Sequence, residues 1–250
     1  MIEAVLFDLA GTLVNFRDLK IAAILTEGAQ GSYAHLLQLG VKLPEFNRYR
    51  KAHARAFQQR YLWSAIRRRD FSFMDVMIQV LRRFSIVVPD GQYQTLAWMW
   101  YRPVLRHASV DAGVISTLDQ LRDHGIKLAI ISNTCVPAHC MDQHLQRENL
   151  LQYFPTRIYS SSTFYRKPHR KIFDTALEQL GVTPARAAFV GDRLQTDIRG
   201  ARRVGMQTIW KTGLPQAQTR RRPQADLIIH QIADLPRIFP ELRITNWRYA

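Results

Sequence analysis

The sequence predicts an α/β fold: a parallel sheet covered by helices on both faces, interrupted by a helical insertion. Three observations lead there. Short apolar runs recur at 4–7, 127–131, roughly 157–160, 187–190, 207–210 and 226–229, and from 127 onward helix-like stretches separate them. Strands alternating with helices imply parallel neighbours joined by crossovers, a three-layer Rossmann-like architecture. Between Val14 and about Arg106 strand-like alternation fades and helical periodicity takes over. At 250 residues and 47% hydrophobic, the chain can bury one such core plus a smaller accessory domain.

Taken in order, Ala4-Val5-Leu6-Phe7 is a strand-length apolar run that ends on Asp8, and Gly11 marks a sharp turn. The stretches 18–40, 45–68 and 71–88 carry helical spacing. The Asp90-Gly91 turn then opens 92–105, a segment that stops at Pro103. Residues 15–105 are thus expected to form a bundle of four or five helices, inserted between 1–14 and 106–250, with hinges near Asn15 and Arg102–Arg106. Most of the bundle's aromatic residues (Phe57, Tyr61, Trp63, Phe71, Phe73, Trp98, Trp100 and Tyr101) are expected in its own core, with one or two lining a substrate space. Further on, KIFDTALEQLG reads as a helix ending at Gly181, GLPQAQTRRRPQAD as an exposed loop, and the residues after Pro240 as loosely held.

Four stations at or beside strand ends carry the chemistry. Asp8 is a carboxylate delivered into a Gly-containing turn, at the kind of sheet edge where open α/β folds place ligands, and Thr12 can hydrogen-bond an anion above that turn. The strand at 127–131 runs into Ser132-Asn133-Thr134, whose hydroxyl, amide and backbone N–H groups suit phosphate oxygens. Lys167 stands in Tyr-Arg-Lys-Pro-His. Gly191-Asp192 follows the strand at 187–190, with Asp197 five residues beyond Asp192. Hard carboxylate oxygens suit Mg²⁺, and a fixed ammonium beside them screens a transferring phosphoryl group.

FDLAGT, IISNT, RKPH and GDRLQTDIRGA, in this order, resemble the motifs of the haloacid dehalogenase-like superfamily over most of the chain. The resemblance implies a catalytic core with a type 1 helical cap over residues 15–105. It makes Asp8 the nucleophile of an aspartyl-phosphate, with Ser132 and Lys167 catalytic. Thr12, Ser132, Asn133 and Lys167 would hold the phosphate. Mg²⁺ would sit among Asp8, the Ala10 carbonyl and Asp192, with Asp197 supporting Lys167 or a metal-bound water. The expected substrate is a small phosphorylated metabolite.

Ala10 departs from the pattern. Most family phosphatases carry a second Asp there, which protonates the leaving oxygen and later activates water, and a methyl group does neither. General acid–base assistance is worth about 10²–10⁴-fold, so unactivated alkyl esters should turn over poorly. Either the leaving group needs no proton, or a cap residue supplies one, or the chain is a weakened member with a binding or regulatory role. Ala at this position also resembles the phosphonoacetaldehyde hydrolase branch, where a cap lysine forms a Schiff base; the candidates are Lys20, Lys42 and Lys51.

The formal net charge is +15, with clusters at Arg67-Arg68-Arg69, Arg82-Arg83, Arg202-Arg203 and Arg220-Arg221-Arg222. Such a surface attracts polyanions, but the clusters are scattered and no nucleic-acid module accompanies them, so specific nucleic-acid binding is not expected. No apolar run approaches the ~18 residues of a membrane span. The first motif begins almost at Met1 and leaves no room for a signal peptide, so a cytoplasmic protein is expected. Cys135 and Cys140 make no disulfide framework and are expected as packed or free thiols, with His139 and His144 beside them on a helix surface rather than in a metal site. Oligomeric state has no signature in the sequence.

Overall fold

The structure, a computed structural model, describes residues 1–67, 69–212 and 225–238. Its centre is a six-stranded, wholly parallel sheet of β1 (Ala4–Phe7), β4 (Lys127–Ser132), β5 (Thr156–Tyr159), β6 (Ala187–Gly191), β7 (Gln207–Lys211) and β8 (Leu227–Ile229), in the order β5-β4-β1-β6-β7-β8. The α/β, Rossmann-like architecture predicted from the sequence is the one observed. β1 lies at the middle, with Phe7 registered between Ile130 and Val190.

The side chains alternate between the two faces as the pleat requires. Val5, Phe7, Leu128, Ile130, Ala188 and Val190 enter one apolar cluster, while Ala4, Leu6, Ala129, Ile131, Ala187 and Phe189 enter the other. The second face is covered by α8 (Arg170–Leu180) and α9 (Arg199–Val204). In α8, Ile172, Phe173, Ala176, Leu177 and Leu180 recur at three- and four-residue spacing, so the helix shows the sheet one continuous apolar stripe. It starts where the His169 side chain accepts from the Lys171 N–H and stops at Gly181, whose φ of +63° closes the helix as the sequence predicts. The first face carries α5 (Val114–Asp123) and α6 (Ala138–Arg147). The short helices α7 (Ser160–Thr163) and α10 (Leu235–Ile238) follow β5 and β8.

Between the first strand and residue 108 the chain is helical, as expected: α1 (Ile21–Gln38), α2 (Phe46–Arg67), α3 (Phe73–Arg83) and α4 (Gln92–Tyr101). Ser72 caps α3 by accepting the Met74 N–H, and Phe73, Val76, Met77, Val80 and Leu81 form its buried stripe. α4 ends at Tyr101 and the chain continues as a 3₁₀ turn over Arg102–His107, because Pro103 cannot donate to a continued helix.

Two features depart from the sequence reading. β2 (Val14–Phe16) and β3 (Ala108–Val110) form an antiparallel pair where the helical segment leaves and rejoins the core. The expected hinge residue Asn15 sits inside this ladder, opposite Ser109. Also, Leu36, Tyr49, Met77 and Trp100 belong to the same apolar cluster as Val5, Phe7 and Ile130, so the inserted helices share one core with the sheet rather than keeping a separate one. Most of the predicted loop at 213–226, and the residues after Pro240, lie outside the described residues, as do Arg68 and Arg220-Arg221-Arg222. Among the described residues no helix is long and apolar enough to cross a membrane.

Candidate active site

β1 ends by presenting Asp8 at the carboxyl edge of the sheet, where its N–H donates to the Val190 carbonyl at 2.9 Å. The chain then turns sharply. Gly11 has φ +89°, and a Cβ there would stand 2.5 Å from Asp192 Oδ2, so only glycine lets the turn pass this close to the second carboxylate. Thr12 is buried beneath the turn, and its Oγ1 has no hydrogen-bond partner.

Lys167 ties the site together. It is 2% exposed, its Nζ donates to Asp8 Oδ1 at 2.6 Å and pairs with Asp197 Oδ1 at 2.9 Å, and the face of Phe189 lies beneath it. Asp197 is fixed in turn, because its Oδ2 accepts the Arg193 N–H at 3.0 Å. One oxygen from each of Asp8, Asp192 and Asp197 lies within 4.8 Å of the others, and Asp192 Oδ1 is buried without a partner. The Asp192 carbonyl accepts from Trp210 Nε1 at 2.9 Å.

The electrostatics follow from this crowding. Burial pushes Asp8 up to about 7, opposed by Lys167 and reinforced by the charges of Asp197 and Asp192. Burial and the neighbouring Asp197 likewise raise Asp192. For Lys167 burial acts downward, but attraction to Asp8 and Asp197 outweighs it and holds the ammonium above its ordinary value. Three carboxylates thus surround one directly bonded ammonium, and the cluster is short of positive charge. Its donors are all hard oxygens, one is unpartnered, and Gly11 leaves their approach open; that chemistry fits a divalent cation such as Mg²⁺.

Ser132, 3% exposed at the end of β4, borders the site as the sequence predicts. Asn133 takes a different part. The sequence reading sets it on phosphate, whereas its Oδ1 accepts the Lys167 N–H at 2.7 Å and its Nδ2 donates to the Lys167 carbonyl at 3.0 Å. A carboxamide matches both main-chain groups of one residue, so Asn133 clasps the backbone from which Lys167 reaches inward. Thr134 also turns aside, its N–H donating to Ser160 Oγ.

Above the carboxylates a cavity of about 450 Å³ opens between the strand-end loops and the inserted helices. Ala10 is exposed and lines it. Phe57, Tyr61, Phe71, Phe73, Trp100 and Tyr101 line it too, well beyond the one or two aromatics expected there. Lys20, Lys42 and Lys51 do not reach it. All three are exposed, and Lys51 borders a separate surface groove with Glu45, Arg48 and Arg55, so the phosphonoacetaldehyde-type Schiff base has no lysine in place.

Several participants are absent from the sequence reading. Lys211, 4% exposed at the end of β7, donates to the Gly11 carbonyl at 3.0 Å. Its signal was available, since it directly follows a predicted strand at the edge that carries Asp8. Asp70, between α2 and α3, lines the cavity and accepts from Ser160 Oγ at 2.6 Å, joining the inserted helices to the β5 loop. Arg166 lines the cavity with no side-chain hydrogen bond or ion pair among the described residues. The cysteines are free, as expected, and among the described residues the acidic cluster is the one group of three or more metal-ligating side chains.

Comparison with known proteins agrees with this geometry. The chain is 41% identical over 96 residues to glyceraldehyde 3-phosphate phosphatase of Methanopyrus kandleri, a match spanning 38% of this chain and 40% of that protein. It thus spans about two fifths of that curated relative's length. It is 27% identical over 240 residues to pyrophosphatase PpaX of Bacillus pumilus, covering 94% of each. The solved structure of a HAD phosphatase from Thermococcus onnurineus superimposes with a TM-score of 0.59 at 27% identity, covering 95% of this chain and 98% of that one. With Asp8, Lys167 and Asp192 brought to one sheet edge and residues 2–205 matching the model of the haloacid dehalogenase-like hydrolases, the chain belongs to that family.

Proposed function

We propose that this chain is a Mg²⁺-dependent phosphatase of a small organic phosphate, working through an aspartyl-phosphate on Asp8. The observation that carries the reading is Lys167 Nζ held between Asp8 and Asp197 at 2.6 and 2.9 Å, with an unpartnered Asp192 oxygen in the same cluster. Lys167 anchors Asp8 Oδ1 and leaves Oδ2 to attack phosphorus. As the Oδ2–P bond forms, the bond from phosphorus to the leaving oxygen breaks and its electron pair departs with that oxygen. Water then attacks the same phosphorus, releasing phosphate and restoring the carboxylate. Thr12 Oγ1, buried and without a partner, and Ser132 Oγ offer hydrogen bonds to the phosphoryl oxygens, while Lys167 faces the developing charge.

Asp8, Asp192, the Ala10 carbonyl and, through a water, Asp197 would hold Mg²⁺, whose chemistry when bound is to neutralise phosphoryl charge and let the buried Asp8 stay ionised. The four inserted helices act as the cap over the cavity, joined to the core through Val14–Phe16 and Arg102–His107. The relatives named glyceraldehyde 3-phosphate phosphatase and pyrophosphatase PpaX support a small phosphate compound as substrate. The reaction needs no membrane and no nucleic acid.

The test is turnover of p-nitrophenyl phosphate and acetyl phosphate with and without Mg²⁺. Activity should require the cation and vanish in Asp8→Asn, which keeps the shape and removes the nucleophile. Turnover that persists in Asp8→Asn, or that is indifferent to chelation, would sink the assignment. Ala10→Asp should raise the rate on unactivated alkyl esters by up to about 10²–10⁴-fold. No gain would mean that proton delivery is not what wild type lacks.

A further inference from the structure

We infer that the substrate is an aryl phosphate: an apolar aromatic group carried on an oxygen that leaves as an aryl oxide. The inference rests on the phosphatase reading and extends it to the organic half of the substrate. Two independent observations converge on it.

The first is the composition of the cavity wall. Ser132, Asn133, Thr134, Arg166 and Arg193 line the cavity from the strand-end loops on the side of the carboxylates. The wall from the inserted helices is built from Ile24, Leu25, Phe57, Phe73 and Trp100. Its rings meet edge to face or tilted, Phe57 to Phe73 at 5.8 Å and Phe73 to Trp100 at 5.2 Å. On this wall the Tyr101 hydroxyl is bonded to His144 Nδ1 at 2.7 Å and the Asp70 carboxylate holds Ser160, which leaves Trp100 Nε1, buried without a partner, and the Tyr61 hydroxyl as its open polar groups. Against this wall a sugar or glycerol moiety would set most of its hydroxyls on rings and aliphatic side chains, away from water. A planar aromatic group finds ring edges and aliphatic side chains, and about 450 Å³ lies within the usual range of small-molecule sites.

The second observation is Ala10, whose methyl group opens onto this same cavity. Among the described lining residues the one carboxyl group is Asp70, tied to Ser160 Oγ at 2.6 Å. Nothing at position 10 gives a proton to the departing oxygen. An aryl oxide leaves without one, because it is the conjugate base of a phenol with pKa about 10, far more acidic than an alkanol. Asp8 Oδ2 bonds to phosphorus, the P–O(aryl) bond breaks, the oxide carries off the electron pair and solvent protonates it after release. Hydrolysis of the aspartyl-phosphate then gives inorganic phosphate.

Steady-state kinetics with Mg²⁺ on 1-naphthyl phosphate, acetyl phosphate, hexyl phosphate and glycerol 3-phosphate test both halves. 1-Naphthyl phosphate should give the highest kcat/KM. Acetyl phosphate, activated but small, should suffer mainly in KM. Hexyl phosphate, apolar but with an alkanol leaving group, should lose about 10²–10⁴-fold in kcat. Phe57→Ser should cut the ratio of kcat/KM for 1-naphthyl phosphate over acetyl phosphate by about tenfold or more, with Leu25→Gln as the second variant if the first does not fold. If glycerol 3-phosphate or acetyl phosphate outruns the naphthyl ester, the aryl assignment is wrong and the phosphatase stands. If no ester in the panel is hydrolysed, including acetyl phosphate, the phosphatase reading falls and takes the assignment with it.

Discussion

Asn133 and Lys167 make the sharpest case at the scale of single residues. The sequence shows that a Ser-Asn pair closes the apolar run of β4 and that a lysine stands before Pro168, and both observations are sound. It does not show that the asparagine grips the lysine's own peptide groups, a contact across thirty-four positions that only the fold creates. Asn133 is therefore a positioning residue. Asn133→Ala should lower kcat by about tenfold to a hundredfold, the size expected when a catalytic group is displaced by about an ångström. KM should change little if Lys167 acts mainly on the transition state. Stopped assays on the purified variant, with Asn133→Asp as the partial replacement that keeps an acceptor for the Lys167 N–H, would check this. Equal loss in both variants would argue for general damage. Asp8 and Asp192 were legible because each follows a strand whose apolar run stands out, and Asp197 because of its spacing from Asp192. Lys211 was overlooked because a single lysine closing a short strand looks like any solvated one.

Among elements, legibility tracked burial. All six strands of the parallel sheet were found in the sequence, since buried strands read as unbroken apolar runs. The β2–β3 ladder escaped because Val14-Asn15-Phe16 and Ala108-Ser109-Val110 are three-residue stretches each broken by a polar residue, whereas Leu227-Ile228-Ile229, equally short, is an unbroken apolar run. The helices α1 to α4 were placed to within a few residues, their ends fixed by local chemistry such as the Ser72 cap and Pro103. What the pattern could not reveal was which side of each helix faces the sheet. Aromatic residues at helical spacing satisfy a bundle core and a cavity wall equally well. Only the packing of Gly28 against Trp100, where an added Cβ would lie 2.9 Å from the Trp100 Cα, brings α1 and α4 close enough to frame the space.

For the whole molecule, two buried histidines give stability a pH dependence. His53 and His144, at 1% and 0% exposure, are both pushed down to about 4 by burial. Unfolded, each titrates near the ordinary ~6.5. Between those values the unfolded chain takes up protons that the folded chain refuses. Their contribution is therefore complete above about pH 6.5 and declines as the pH falls toward 4, by up to about 1.4 kcal/mol per pH unit for each. Urea unfolding at pH 7 and pH 5 should show a smaller loss in the double variant His53→Gln, His144→Gln than in wild type. An unchanged difference would assign the acid sensitivity to other groups.

The scattered arginines have an architectural origin. Arg67, Arg82, Arg83, Arg202 and Arg203 each occupy the last turn of a helix, where backbone carbonyls favour positive charge. A net +15 surrounds the molecule with a field that draws in small dianions. Its effect lies in the frequency of encounter rather than in the grip on a bound ligand. Raising NaCl from 10 mM to 0.5 M should therefore depress kcat/KM for a dianionic ester severalfold and leave kcat nearly untouched, as the screening length contracts to a few ångströms.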